Sequence, residues 1–209
     1  EAELTEHGLD QVPTLTYATT SVRQEFRDAM ARVASWFTLS RVQEYEDFEL
    51  QIAYQAGLQS VRKYYSHLVV DADFVGARSL KLSGWCLPIL ARLFFLLLDN
   101  AASHGAGQRD RLRLRVLAEQ SDKTLYLRVC NDLDPTHDLH RTGEIVHRLN
   151  AEYGQEKAAD LVGEEGGSGY PKIWKLLSFD LRTTHQLQVS LRDEEFVVEI
   201  ILDAGGMLA

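Results

Sequence analysis

The stretch LPILARLFFLLLDN at 87–100 sets the problem that the rest of the chain has to solve. Its apolar residues fall on nearly every side of a helix, and such a helix must be covered over most of its circumference. The run from Leu87 to Leu98 carries Arg92 and ends in Asp99-Asn100. It is too short to span a bilayer and reads as a buried core helix, not a membrane segment. Pro88 suits its first turn, where the N–H is unpaired in any case, and the pattern closes around Gly105.

The flanking segments supply the cover. LVVDADF at 68–74 and SLKL at 79–82 read as short strands. RLRLRVLA at 111–118 alternates strictly, giving one apolar and one basic face, with TLYLRVCN at 124–131 as its neighbour. YPKIWKLLSF reads as a helix burying Ile173, Trp174, Leu176 and Leu177. HQLQVSLRDEEFVVEIIL at 185–202 reads as a closing hairpin that turns at Asp193-Glu194. Helices and strands thus alternate irregularly and end in antiparallel strands. That order predicts an α+β fold, a two-layer α/β sandwich with a mixed sheet covered by helices.

Upstream, residues 1–20 look like a leader. Ser21–Gln24 and Ser40–Gln43 both have capping-box form. Val22, Phe26, Met30, Val33 and Phe37 follow the first at helical spacing. Phe48, Ile52, Leu58, Val61 and Tyr65 follow the second. The expected division is 1–43, a leader and helix serving dimerisation or linkage, and 44–209, an α/β domain. A chain that opens on Glu1 is expected to be a piece of a longer protein, with domains upstream.

At 209 residues, 45% hydrophobic and 25% charged, the chain has the make-up of an ordinary globular protein with one good-sized core. Its net charge of −9 and lack of a basic run exclude a sequence-independent nucleic-acid binder. Cys86 and Cys130 show neither CxxC nor metal-ligand spacing, and no signal peptide is visible, so a reducing cytoplasm is the expected location.

Three polar interruptions carry the candidate chemistry. GEEGGSGYPKIWKLL at 163–177 is neither a P-loop nor a dinucleotide fingerprint. Glycines leading into a helix either aim backbone N–H groups at an anion, which puts Gly167, Ser168 and Gly169 in the site, or form a flexible loop. In LLLDNAASHGAG at 96–107, Asn100 near the end of a buried helix is costly unless its amide is satisfied. Its carbonyl is a hard oxygen suited to Mg²⁺. His104, one turn on, is placed to reach a phosphate. The alternative is that both residues finish the helix in water. In LYLRVCNDLDP at 125–135, Asn131 ends an apolar strand, where it either reads the edge of a base or opens an Asx turn before Pro135.

In this order the three motifs resemble those of the GHKL ATPase superfamily, which includes gyrase, the ninety-kilodalton heat-shock chaperones, MutL and histidine kinases. The chain is most similar to the ATP-binding domain of sensor histidine kinases, over roughly residues 44–205. LLLDNAASHG matches the N box, whose Asn ligates Mg²⁺. RVCND falls at the first glycine box, with Asn131 in place of the usual adenine-reading Asp, and EEGGSGYPKIWKLL matches the second. The resemblance implies ATP and Mg²⁺ as ligands. It sets metal ligation on Asn100, adenine on Asn131, phosphates on His104, Gly167, Ser168 and Gly169, and a lid at 138–165. Lys172 adds a phosphate contact or stands as a solvated surface lysine.

The departures bear on catalysis. Where the hydrolysing members carry a general-base Glu, this chain has Leu96, and Asp99 is turned about 100° from Asn100 around the helix. Both glycines of DxGxG are replaced, by Leu133 and Pro135. None of the seven histidines lies in an acceptor motif, so a phosphoacceptor would be upstream, in a partner protein, or absent. The expected function is a Mg-ATP-binding signal-transduction domain without an assured enzymatic activity. The alternatives are a degenerate docking or dimerisation module, with a homodimer formed through the N-terminal helices, or a slow ATPase switch.

Overall fold

The computed structural model describes residues 46–105, 110–134, 138–154, 169–192 and 195–209, all within the unit Tyr45–Ala209. The helix expected at 22–37 and both capping boxes lie outside the described residues.

Strand β1, Phe48–Glu49, leads directly into helix α1, Leu50–Tyr64. The sequence pattern placed Phe48 and Ile52 on the apolar side of this helix, and both need correction. Phe48 pairs with Leu82 of β3, Lys81–Leu82, in a two-stranded antiparallel sheet, and Ile52 is 45% exposed. The backbone N–H groups of Leu50 and Gln51 donate to the carbonyls of Leu80 and Arg78 at 2.9 and 3.2 Å. These long-range bonds satisfy donors that a helix start leaves open, and they fix where α1 begins. Its buried residues, Leu50, Ala53, Tyr54, Gly57, Leu58 and Val61, form one helical stripe against the next helix.

That helix, α2, runs Leu87–Gly105, as its apolar run required. Leu90, Leu93, Phe94 and Leu98 are fully buried. By length and composition alone Gly84–Gly105 could cross a membrane, but here its side chains form the centre of the core. Tyr54 stacks on Phe74 at 4.6 Å and meets Phe94 edge-on at 5.7 Å, tying α1, α2 and the sheet together.

The main sheet has five strands, β2 (Val69–Gly76), β4 (Arg111–Ser121), β5 (Thr124–Asp132), β6 (His185–Arg192) and β7 (Glu195–Asp203), in the order β2-β4-β5-β7-β6. Strands β2 and β4 are parallel, which demands a crossover, and α2 lies in that crossover. The other pairs are antiparallel. The architecture is the expected α+β sandwich with a mixed sheet. In β4, Leu112, Leu114, Val116 and Ala118 are buried while Arg111, Arg113 and Arg115 point to the other face.

Helix α3, Leu139–Glu152, is capped by Asp138, whose carboxylate accepts from the N–H groups of His140 and Arg141. Asn150 on α3 accepts from the Val189 N–H and donates to the Val189 C=O, both at 2.8 Å, so it stands in for a neighbouring strand at the edge of β6. Helix α4, Gly169–Lys175, continues into a π-helical turn, Leu176–Asp180. Ile173, Leu176 and Leu177 are buried as expected. Trp174 is only half-buried and meets exposed Phe179 edge-on at 5.5 Å.

Candidate functional site

Helix α2 brings the polar interruptions together through two asparagine–glycine contacts. The Asn100 carboxamide lies against Gly169, the first residue of α4. A Cβ added at Gly169 would overlap Asn100 Oδ1. One turn and a half further on, Gly105 closes α2 against Asn131, the penultimate residue of β5. A Cβ there would overlap Asn131 Nδ2. Only a residue without a side chain lets the elements approach this closely.

The Asn100 amide is incompletely satisfied. Its Nδ2 is one of four buried side-chain polar atoms among the described residues that lack a hydrogen-bond partner, with Tyr54 Oη, Tyr153 Oη and Ser190 Oγ. A buried orphan donor costs about 1–3 kcal/mol, so its retention at the meeting of two elements needs a reason.

Asn131 is 4% exposed. Its Nδ2 donates to the carbonyl of the next residue, Asp132, at 3.4 Å, which is long for such a bond. Asp134, three residues on, is also buried.

Asp99 is held on the side of α2 that faces α1. The Tyr65 hydroxyl donates to its Oδ1 at 2.9 Å. Burial, reinforced by that bond to a carboxylate, pushes the Tyr65 phenol up to about 12, so it stays protonated and donating. Leu96, one turn before Asn100, is 7% exposed in the core and presents no proton acceptor.

The other expected site residues are placed unevenly. His104 stands exposed near the end of α2, and Lys172 is half-buried in the first turn of α4. Gly167 and Ser168, like residues 155–165 of the expected lid, lie outside the described residues, while 139–152 of that lid form α3. Gly105 and Tyr65 are the positions that sequence reasoning missed. Gly105 was legible only as a helix end, and nothing local connects Tyr65 to Asp99, 34 residues away.

A divalent ion here would find few protein ligands, since no group of three or more His, Cys, Asp or Glu capable of holding a metal occurs among the described residues. A single amide oxygen, with the remaining ligands from phosphate and water, fits Mg²⁺, which keeps most of its waters, and does not fit Zn²⁺.

No protein-family model matches the chain. The chain is 24% identical over 202 residues to the Detocs histidine-protein kinase DtcA of Enterobacter cloacae (strain JD6301), covering 94% of this chain and 18% of that protein. It therefore spans under a fifth of that relative's length. Among solved structures, the catalytic domain of histidine kinase ThkA superposes with a TM-score of 0.55 at 12% identity, over 78% of this chain and 97% of that one. ThkA in complex with the response regulator protein TrrA superposes with a TM-score of 0.50 at 12% identity, over 97% of this chain and 52% of that one. The chain has the GHKL-type fold of the histidine kinase catalytic domain.

Proposed function

We propose that this chain is a cytoplasmic signal-transduction module that binds Mg-ATP or Mg-ADP at the end of α2. The observation that carries the reading is the Asn100 carboxamide, seated on Gly169 with its nitrogen buried and unpartnered. A ligand that engages this amide removes the cost of the orphan donor. Asn100 holds the metal–phosphate end through its Oδ1, and Asn131 contacts the base. Gly167, Ser168 and Gly169 line the phosphates, with His104 and Lys172 as further phosphate contacts. Magnesium, when bound, neutralises phosphate charge. Tyr65 holds Asp99 by a hydrogen bond, and Leu96 leaves the position one turn before Asn100 without a base. The chain thus binds and presents nucleotide, and a phosphoacceptor would come from outside these 209 residues. The ThkA–TrrA complex supports a response regulator protein as partner.

The test is calorimetric titration of the chain with Mg-ADP, for wild type and Asn100→Ala. Saturable binding that weakens at least tenfold in the variant is expected. No binding at millimolar nucleotide, or binding indifferent to the substitution, overturns the site.

A second reading is a fold kept for docking, with no nucleotide. The apolar Leu96 and the loss of both glycines after Asn131 favour it. Melting with and without Mg-ATP separates the two, because ligand at a hundred times its Kd adds about 2.7 kcal/mol.

A further inference from the structure

The asparagine at the proposed base-contacting position, Asn131, is neither charged nor held by a short hydrogen bond. Asn131 is buried, and its amide nitrogen faces the bare Cα of Gly105. The hydrogen bond from its Nδ2 to the Asp132 carbonyl is 3.4 Å long. Turning the carboxamide by 180° would exchange that weak bond for a contact between Oδ1 and the Asp132 carbonyl oxygen and set Oδ1 over the Cα of Gly105, which itself carries no side chain. A carboxamide carries a donor and an acceptor that exchange places on such a turn, whereas a carboxylate at the same position is acceptor-only.

A purine offers complementary choices at position 6. Adenine presents an amino donor beside the N1 acceptor. Hypoxanthine and guanine present a carbonyl acceptor beside an N1–H donor. The Asn131 amide can meet the first set through Oδ1 and the second through Nδ2. A carboxylate facing position 6 would accept from the adenine amino group and repel a 6-carbonyl oxygen, and a site that leaves a buried polar group unpaired discriminates strongly.

We propose that Asn131 makes this a purine-tolerant subsite, one that accepts 6-oxo purine nucleotides alongside adenine nucleotides. The inference rests on the nucleotide reading above and specifies the ligand class of that site. Within it, Asn131 is the specificity-determining residue, with Gly105 giving it room to turn.

The test is titration of the full chain with Mg-ADP, Mg-IDP and Mg-GDP, for wild type and for the near-isosteric Asn131→Asp. The expected result is Kd values for ADP and IDP within about tenfold of each other in wild type. In Asn131→Asp the preference for ADP over IDP should grow by roughly tenfold or more, the scale of one hydrogen bond to a charged group. GDP separates the 6-oxo group from the extra 2-amino group, and its binding within tenfold of IDP extends the subsite to guanine. Wild-type discrimination against IDP of a hundredfold or more overturns the proposal and leaves the nucleotide reading standing. So does an ADP/IDP ratio that Asn131→Asp does not move, which would assign base reading to another group such as Asp134. Failure of all three nucleotides to bind overturns the nucleotide reading itself. The wild-type ratio decides even where the variant folds poorly, and a melting curve of Asn131→Asp shows whether its own ratio can be read.

Discussion

Gly105 is a helical residue whose lack of a side chain is dictated by a strand. In a helix interior alanine is the better helix former by about 1 kcal/mol, and Gly105 lacks the positive φ that would call for glycine at a helix end. Backbone preference alone would therefore make Gly105→Ala neutral or stabilising. Against Asn131 the added methyl has nowhere to go, since it would overlap Nδ2 and crowd Cγ. We expect Gly105→Ala to lower stability by about 1–3 kcal/mol, the range for overpacking a filled site. In an Asn131→Ala background, where the obstructing amide is gone, the same change should cost less than about 1 kcal/mol. Urea unfolding of the four proteins in a double-mutant cycle gives the coupling directly. Additive effects would mean that the two residues do not share this space. Asn100 and Asn131 were legible in the sequence because each is a polar residue ending an apolar element. The glycines opposite them were not, because a close approach has no local signature.

At the scale of elements, legibility followed the range of the interactions. Helix α2 and strands β4 and β5 declare themselves through their own hydrophobic patterns, and the structure shows all three. Strand β3, Lys81–Leu82, lies within the short strand expected at 79–82, whereas β1 has only two residues and no expectation to match, too few for any period. Phe48 lay at helical spacing, yet it belongs to β1 because Leu82 lies across from it. The union of α3 with β6 is equally non-local. Asn150 supplies both an acceptor and a donor to Val189, 39 residues away, and closes the middle of an edge strand that would otherwise present free backbone groups. Tyr153, one residue past the end of α3, meets His185 of β6 edge-on at 5.9 Å. Loss of two neutral hydrogen bonds costs about 1–3 kcal/mol, so Asn150→Ala should destabilise by that amount. It should also raise amide exchange at Val189 above that of the inward-bonded Gln188 and Ser190. Unchanged exchange at Val189 would show that Asn150 does not close the edge.

Within the unit Tyr45–Ala209 the five-stranded sheet has two unlike faces. One is sealed by α1, α2 and α4. The other carries charge in columns, with Arg111 on Asp71, Arg113 on Asp132 and Arg115 on Glu195. A depression of about 370 Å³ lies on that outer face, lined by Asp73, Arg113, Arg115, Cys130 and Glu195 among others, on the far side of the sheet from the amide of Asn131. Most of these pairs are well exposed, and exposed pairs contribute little. Glu199 differs. Its side chain is 12% exposed, and it takes both Arg128 and Arg192 at 2.8 Å together with the Tyr126 hydroxyl at 2.5 Å. Burial alone would raise its carboxyl. The hydrogen bonds from Tyr126 and Arg128 and the two guanidinium charges outweigh that, and the net direction is below the ordinary 4.5. A carboxyl held lower in the folded than in the unfolded chain contributes stability that is present above the unfolded value and fades as pH falls through the folded one. Stability should therefore decline with acid from about pH 4.5 downward, and Glu199→Gln should flatten that decline while lowering stability at pH 7. Urea midpoints from pH 7 to pH 3 for the two proteins measure both effects. Parallel acid limbs would show that Glu199 is not the group that ties this sheet's stability to its charge.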